Sequence, residues 1–170
     1  MKKIVFLAIA MFMFSFANAQ TDEGTLLVEA NTGFGAFHPS NTGFYLTSID
    51  GNTAWNIGLE GGYFIMDDLA IKAGLGYGDD GNEFTSSVFS YKIGAKYYVS
   101  GQIPLQIDLN GASIEDADEN PMYLGLQAGY AVFLTDNISL EPGLRYDLSL
   151  NENFSDHGIL AFNVGFALFF

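Results

Sequence analysis

The stretch GLQAGYAVFLTDNISLEPGLRY, residues 125–146, alternates apolar and polar side chains on both sides of a short turn at 135–137. Leu126 and Ala128 share one face before the turn, and Leu144 and Tyr146 share one face after it. Successive side chains of a β-strand point to opposite faces, whereas an α-helix repeats about every 3.6 residues. The stretch therefore predicts two strands joined by a tight turn.

The same alternation recurs along the chain in eight stretches. They cover Thr25–Phe37, Ala54–Ile65, Leu69–Tyr77, Phe89–Val99, Leu105–Asn110, Leu124–Val132, Ile138–Leu148 and Leu160–Phe170. Short turns near 66–68, 100–103 and 135–137 alternate with longer loops at 38–53, 78–87, 111–121 and 151–157, as in transmembrane β-barrels. The sequence predicts an all-β fold, an eight-stranded antiparallel up-and-down transmembrane barrel.

Two details refine this prediction. Residues 58–77, GLEGGYFIMDDLAIKAGLGY, match 125–146 once two residues are inserted near the turn, which indicates a repeated hairpin. Pro142 falls inside the seventh predicted strand. Because proline lacks a backbone N–H, it predicts a bulge or a local break there.

The N-terminus has the pattern of an export signal. Met1-Lys2-Lys3 precedes an apolar run from Ile4 to Phe16 and the small-residue site Ala17-Asn18-Ala19. A basic start, a short apolar run and an A-x-A site are typical of a cleaved secretory signal peptide. We expect a signal peptide at 1–19 and a barrel domain at 20–170.

Charge and composition exclude several classes of function. Without Lys2 and Lys3 the chain keeps four basic residues against 20 acidic ones, a formal charge of 4 − 20 = −16. Nucleic-acid binding needs a basic surface, so that class is disfavoured. There is no Cys, which excludes disulfides and thiolate metal sites. No cofactor is predicted.

In this register the polar face carries every basic residue of the mature chain and five acids. They are Glu29, Glu60, Lys72, Lys92, Lys96, Asp108, Glu141, Arg145 and Asp147. The interior of an eight-stranded barrel is just wide enough for side chains to fill it, which predicts an ion-pair network in the lumen. The alternative is a narrow pore for ions or small solutes, left open by inward-facing glycines, with Arg145 and Lys96 as gating candidates.

The apolar face carries no charge, as a lipid-facing surface requires. Aromatic residues concentrate near both strand ends, which predicts two interfacial girdles: Trp55, Tyr77, Phe89 and Tyr146 on the loop side, and Tyr63, Tyr97, Tyr130 and Phe170 on the turn side. The alternative is a soluble sandwich or lipocalin-like barrel that buries the apolar faces inside.

Two predicted loops are strongly acidic: Asp79, Asp80 and Glu83 in one, and Glu115, Asp116, Asp118 and Glu119 in the other. Charge runs are usually solvated, and the alternative is loose divalent-cation binding that bridges to lipopolysaccharide. Asp116, Asp118 and Asn120 begin like an EF-hand loop. However, Pro121 and Gln127 occupy the positions of its essential Gly and Glu, so no metal site is predicted.

The leader, the GY…TDNISLEPGLRY hairpin and the terminal strand NVGFALFF (163–170) resemble the small outer-membrane β-barrel family, the OmpA/OmpX/OmpW-type porin-like domain of Gram-negative bacteria. The resemblance implies export through the periplasm to the cell outer membrane, a monomer, and a structural or surface-interaction role. Its implied partners are outer-membrane lipid, lipopolysaccharide and, during biogenesis, the barrel-assembly machinery. That machinery would recognise Phe166, Leu168 and Phe170 in the terminal strand.

A few barrels of this family modify lipid A with a His-Ser-acid set. This chain has Ser40 near His38, and Ser155 and Asp156 beside His157. Both sets fall in predicted loops rather than on strands that would fix their geometry, so no catalytic residue is predicted.

Overall fold

The computed structural model describes residues 20–34, 42–49, 52–79 and 87–170. The expected signal peptide at 1–19, together with His38, Ser40, Asp80 and Glu83, lies outside these ranges. No helix in the described ranges is long and apolar enough to cross a membrane.

Within the described residues the chain forms ten strands. They are β1 (Leu26–Phe34), β2 (Tyr45–Ile49), β3 (Asn52–Met66), β4 (Leu69–Asp79), β5 (Val88–Val99), β6 (Ile103–Ile114), β7 (Met122–Gly129), β8 (Val132–Thr135), β9 (Ile138–Ser149) and β10 (Ile159–Phe169). Antiparallel pairing runs β1-β10-β9-β7-β6-β5-β4-β3, and β3 pairs back with β1, which closes a barrel. Because β7 and β8 are consecutive parts of one barrel strand, the predicted eight-stranded barrel is confirmed.

The two seams at β1 differ greatly in length. Against β10, pairing extends from Leu27↔Phe169 to Phe34↔Phe162. Against β3, it covers only Leu26–Glu29. Strand β1 is therefore paired along its length with β10, but it is paired with β3 only near the turn side of the barrel.

Strand β2 corrects the sequence prediction, which assigned 38–53 to a loop. Tyr45–Ile49 instead pairs with β3 from Tyr45↔Asn56 to Ile49↔Asn52. Its segment is short and lies beside the polar residues 50–53, so its alternation is too brief to stand out from a loop.

Pro142 acts on the strand beside it rather than on its own. Strand β9 runs unbroken through Pro142, which pairs with Val164 of β10. On the other side, the Pro142 carbonyl accepts a hydrogen bond from Tyr130 N at 3.0 Å, but proline has no N–H to return one. The ladder is interrupted there, between β7 and β8.

The repeated hairpins share a structural irregularity as well as a sequence. In the β3–β4 hairpin the register shifts between Phe64 and Met66. In the β8–β9 hairpin it shifts between Phe133 and Thr135, the residues that the sequence match places opposite Phe64 and Met66. The shared bulge supports the repeat inferred from the sequence.

The barrel is polar inside and apolar outside. Outward side chains such as Ile57, Leu75, Ile93 and Leu144 are exposed along the middle of the strands. The charged residues of the strands are buried, apart from Asp79 at the end of β4, which is partly exposed. The soluble alternative is therefore wrong, since it required the opposite arrangement. The predicted girdle residues other than Tyr130 are exposed on the outer face, and the Tyr130 hydroxyl donates to Gln102 at 3.2 Å.

Candidate functional site

The structure brings the charged residues of the polar face together inside the barrel. Each is at most 8% exposed, and Lys96 is completely buried. They come from six different barrel strands, because antiparallel neighbours in register aim every second side chain at the lumen. The set comprises Glu29, Glu60, Lys72, Lys92, Lys96, Asp108, Glu141, Arg145 and Asp147.

Lys96 occupies the layer nearest the turns. Its Nζ lies 2.6 Å from Glu29 Oε2 and also bonds to Glu141 Oε2. Glu141 in turn accepts hydrogen bonds from the Tyr98 hydroxyl at 2.8 Å and from the Ser139 hydroxyl at 2.9 Å. Asn31 donates to Glu29 Oε1 at 2.8 Å, so both carboxylates are held by a cation and by at least one neutral donor.

The middle layer continues this alternation of charge. Lys72 Nζ lies 2.8 Å from Glu29 Oε2 and 2.8 Å from Glu60 Oε2. Lys92 Nζ lies 2.6 Å from Glu60 Oε1. The residues form an alternating chain of acid and base from Glu141 through Lys96 to Lys92.

Arg145 organises the layer nearest the loops. It donates two parallel hydrogen bonds to Asp108, at 2.8 and 2.7 Å. It also donates to both carboxylate oxygens of Asp147, at 2.8 and 2.7 Å. Asn110 bridges the two carboxylates, donating to Asp108 at 3.0 Å and to Asp147 at 2.9 Å. The planar guanidinium suits this double bidentate geometry.

Gln106 joins the layers into a single network. Its Oε1 accepts from Lys72 at 3.0 Å, and its Nε2 donates to Asp108 at 2.7 Å. Four cations face five carboxylates, a formal sum of 4 − 5 = −1. Buried charges are tolerated only when paired and hydrogen-bonded, and each charged group of the lumen network has an oppositely charged partner.

Two inward glycines leave the space that the network needs. A Cβ on Gly125 would lie 2.0 Å from Arg145 Nη2, and one on Gly74 would lie 2.8 Å from Glu60 Cγ. Close approach of a long side chain to the opposite backbone therefore explains these positions.

An apolar cluster closes the turn side of the interior, which the sequence analysis did not anticipate. We call it the aromatic plug; it consists of Leu27, Phe64, Ala70, Tyr98, Ala131, Ala167 and Phe169, with Phe133 packed against it. Phe169 lies at its centre, with ring centroids 6.3 Å from Phe64, 6.2 Å from Tyr98 and 5.7 Å from Phe133. The sequence does carry a sign of this cluster: Phe64, Tyr98 and Phe169 are aromatic residues at inward-facing positions near the turn-side ends of their strands.

The terminal-strand residues singled out in the sequence lie on the other face. Phe166 and Phe170 are exposed and Leu168 is partly exposed, all toward the outside of the barrel. Phe170 and Leu26 exchange two backbone hydrogen bonds of 2.9 Å, so β1 holds the chain to its last residue.

The described acidic loop residues lie on the surface of the barrel. The exposed acids of this loop are Glu115, Asp116, Asp118 and Glu119. The Ser87 hydroxyl donates a hydrogen bond to Glu115 at 2.9 Å. No group of three or more potential ligands comes together among the described residues. Asp79 ends β4 opposite Trp55.

The Ser155, Asp156 and His157 set does not have a catalytic arrangement. The His157 ring pairs with Asp156 on the surface, where the ring is 84% exposed. The Ser155 hydroxyl bonds to the backbone of His157, at 3.4 Å to its carbonyl and 3.3 Å to its N–H. A nucleophile must instead contact the imidazole of its base.

The fold of this closed antiparallel barrel is similar to that of solved structures. It is similar to the N-terminal β-barrel domain of Pseudomonas aeruginosa OprF, with a TM-score of 0.54 and 16% identity over 87% of this chain and 98% of that one. The chain has the fold of a small outer-membrane β-barrel. It is also similar to Neisserial surface protein A, with a TM-score of 0.50 and 17% identity over 86% of this chain and 99% of that one.

These likenesses concern the fold alone, because the identities are low. No protein-family model matches the sequence, and no curated protein matches it. The role of this outer-membrane-type barrel must therefore be argued from its own residues.

Proposed function

We propose that this chain is an outer-membrane protein whose closed, non-conducting barrel serves a structural or surface-interaction role. The lumen network is the observation that carries the proposal. It crosses the interior from Glu141 to Asp147 without a break, and the aromatic plug lies beneath it. An ion would have to part these pairs to pass, and that would leave buried charges without their partners.

The exposed loop side supports the interaction half of the proposal. Glu115, Asp116, Asp118, Glu119 and Asp156 are exposed there. All four basic residues of the mature chain are inside the barrel. A partner would have to supply cationic groups, or be an anionic surface such as lipopolysaccharide bridged by divalent cations.

Planar-bilayer recording tests whether the barrel is closed. We expect folded, inserted protein to give no single-channel steps, because the network and the plug both obstruct the bore. Incorporation is checked independently by the protease resistance of the barrel in the same preparation. Reproducible steps of uniform size would overturn the closed barrel and favour a narrow pore for ions or small solutes.

We also propose that the barrel-assembly machinery reads the terminal strand through Phe166, Leu168 and Phe170. These side chains share the outer face, where a partner can reach them. We expect Phe170→Ala to reduce the amount of barrel in the outer membrane of cells severalfold while leaving refolding into lipid vesicles unchanged. Phe162→Ala, on the same face of β10 but outside the terminal motif, is the control. Equal cellular yields for the two variants would count against recognition.

A further inference from the structure

The barrel wall has an incomplete seam between β1 and β3. Their pairing ends at Glu29↔Glu60, although β1 extends to Phe34 and β3 begins at Asn52. Toward the loop side these strands part, and residues 42–49 fill the space between them. We call this segment the strap.

The strap has unequal attachments to the two sides. To β3 it is joined by the β2 ladder and by Asn56, whose side chain donates to the Gly43 carbonyl at 2.8 Å. To β1 it is joined by the isolated bridge Thr32↔Phe44, in which Phe44 N donates to the Asn31 carbonyl at 2.7 Å. The other barrel seams run over at least seven described residue pairs, so within the described ranges this edge has the shortest pairing.

The strap also reaches the lumen network. Thr42 is completely buried, and its hydroxyl donates to Glu60 Oε1 at 2.6 Å. Gly58 provides the space for this insertion, because a Cβ there would lie 2.4 Å from the Thr42 carbonyl oxygen. The segment is amphipathic, with Thr42 turned to the lumen and Phe44 exposed on the outer surface.

We propose that the strap is a detachable seal, whose release exposes the polar layer around Glu60 from the loop side. The inference rests on the proposed closed barrel and names the element that regulates access to its interior. The five-pair ladder to β3 is the extended attachment of the strap, whereas its described pairing with β1 is an isolated bridge. Because segments with few backbone bonds open at low free energy, release is expected on the β1 side.

Two alanine substitutions on the same strand provide a matched test. Gly58→Ala places its Cβ against the strap backbone, whereas Gly61→Ala has nothing within 4 Å of its Cβ. Because the chain has no Cys, Thr42→Cys introduces a single buried thiol as reporter, and all labelling rates are compared with this parent, which already lacks the Thr42 hydroxyl. In vesicles, we expect a membrane-impermeant thiol reagent to label this thiol about tenfold or more faster with Gly58→Ala, and at the parent rate with Gly61→Ala.

Hydrogen exchange gives a second measurement if Gly58→Ala does not fold. Thr42→Val keeps the side-chain shape but removes the hydroxyl, and we expect faster amide exchange in residues 42–49 than in the wild type. Oxidation of the bridge pair Thr32→Cys and Phe44→Cys should slow that exchange. Equal labelling in the two alanine variants, or exchange unaffected by Thr42→Val, would overturn the seal. The closed barrel is judged separately, because wild-type conductance alone decides it.

Discussion

Lys96→Met is expected to destabilise the barrel by about 3–5 kcal/mol, the usual cost of removing one partner of a buried ion pair. Lys96 lies completely buried between Glu29 and Glu141. Without its ammonium group, Glu141 keeps only neutral donors in the described contacts, while Glu29 keeps Lys72. Reversible urea unfolding in lipid vesicles, followed by the fluorescence of the single tryptophan, Trp55, measures the loss.

The double variant Lys96→Met with Glu141→Gln separates a charge effect from a packing effect. We expect it to lose less stability than the single variant, because the uncompensated carboxylate is gone. Additive losses from Lys96→Met and Glu141→Gln would show that the two groups are not coupled.

Ile93→Lys is expected to cost about 2–4 kcal/mol in a bilayer, because it places an ammonium group at mid-depth on the lipid face. Ile93 points outward at the centre of β5, between Ala73 and Leu109, and is 59% exposed. The same urea titration in vesicles measures the change.

Leu46→Lys is the matched control for the lipid-facing position. Leu46 is also apolar and exposed, but it pairs with Trp55 near the loop end of the barrel. A lysine near the interface costs only about 0–1 kcal/mol. Similar losses at both positions would mean that Ile93 does not face hydrocarbon.

The sequence was sufficient to predict the barrel because the physical constraint repeats at every second residue. Hydrocarbon outside and a narrow polar lumen inside force the same alternation on each strand, so Lys72 and Ile93 could be assigned to opposite faces without coordinates. The sequence does not predict which acidic and basic side chains pair with each other in the lumen. Which acid meets Lys96 depends on the tilt and register of strands distant in sequence, and alternation fixes only the phase of each strand.

The strap and the plug were missed for different reasons. Residues 42–49 are held by contacts with distant partners such as Glu60 and Asn31, and local patterning carries no record of these contacts. Phe64, Tyr98 and Phe169 lie in the inward phase, but alternation alone does not show that inward rings from different strands meet in one cluster. Pro142 predicts a break in the hydrogen-bond ladder of its own strand. The break instead lies in the neighbouring strand, between β7 and β8, because proline has no N–H to donate to it.

The position of Phe169 ties the closing of the turn side of the barrel to the docking of β10. It is the ring that contacts Phe64, Tyr98 and Phe133 at once, and it arrives on the last strand of the described structure. Until β10 docks between β9 and β1, the aromatic plug at the turn side lacks its central ring. We therefore expect water to reach the ionised side chains from the turn side until β10 docks and brings Phe169 into the plug.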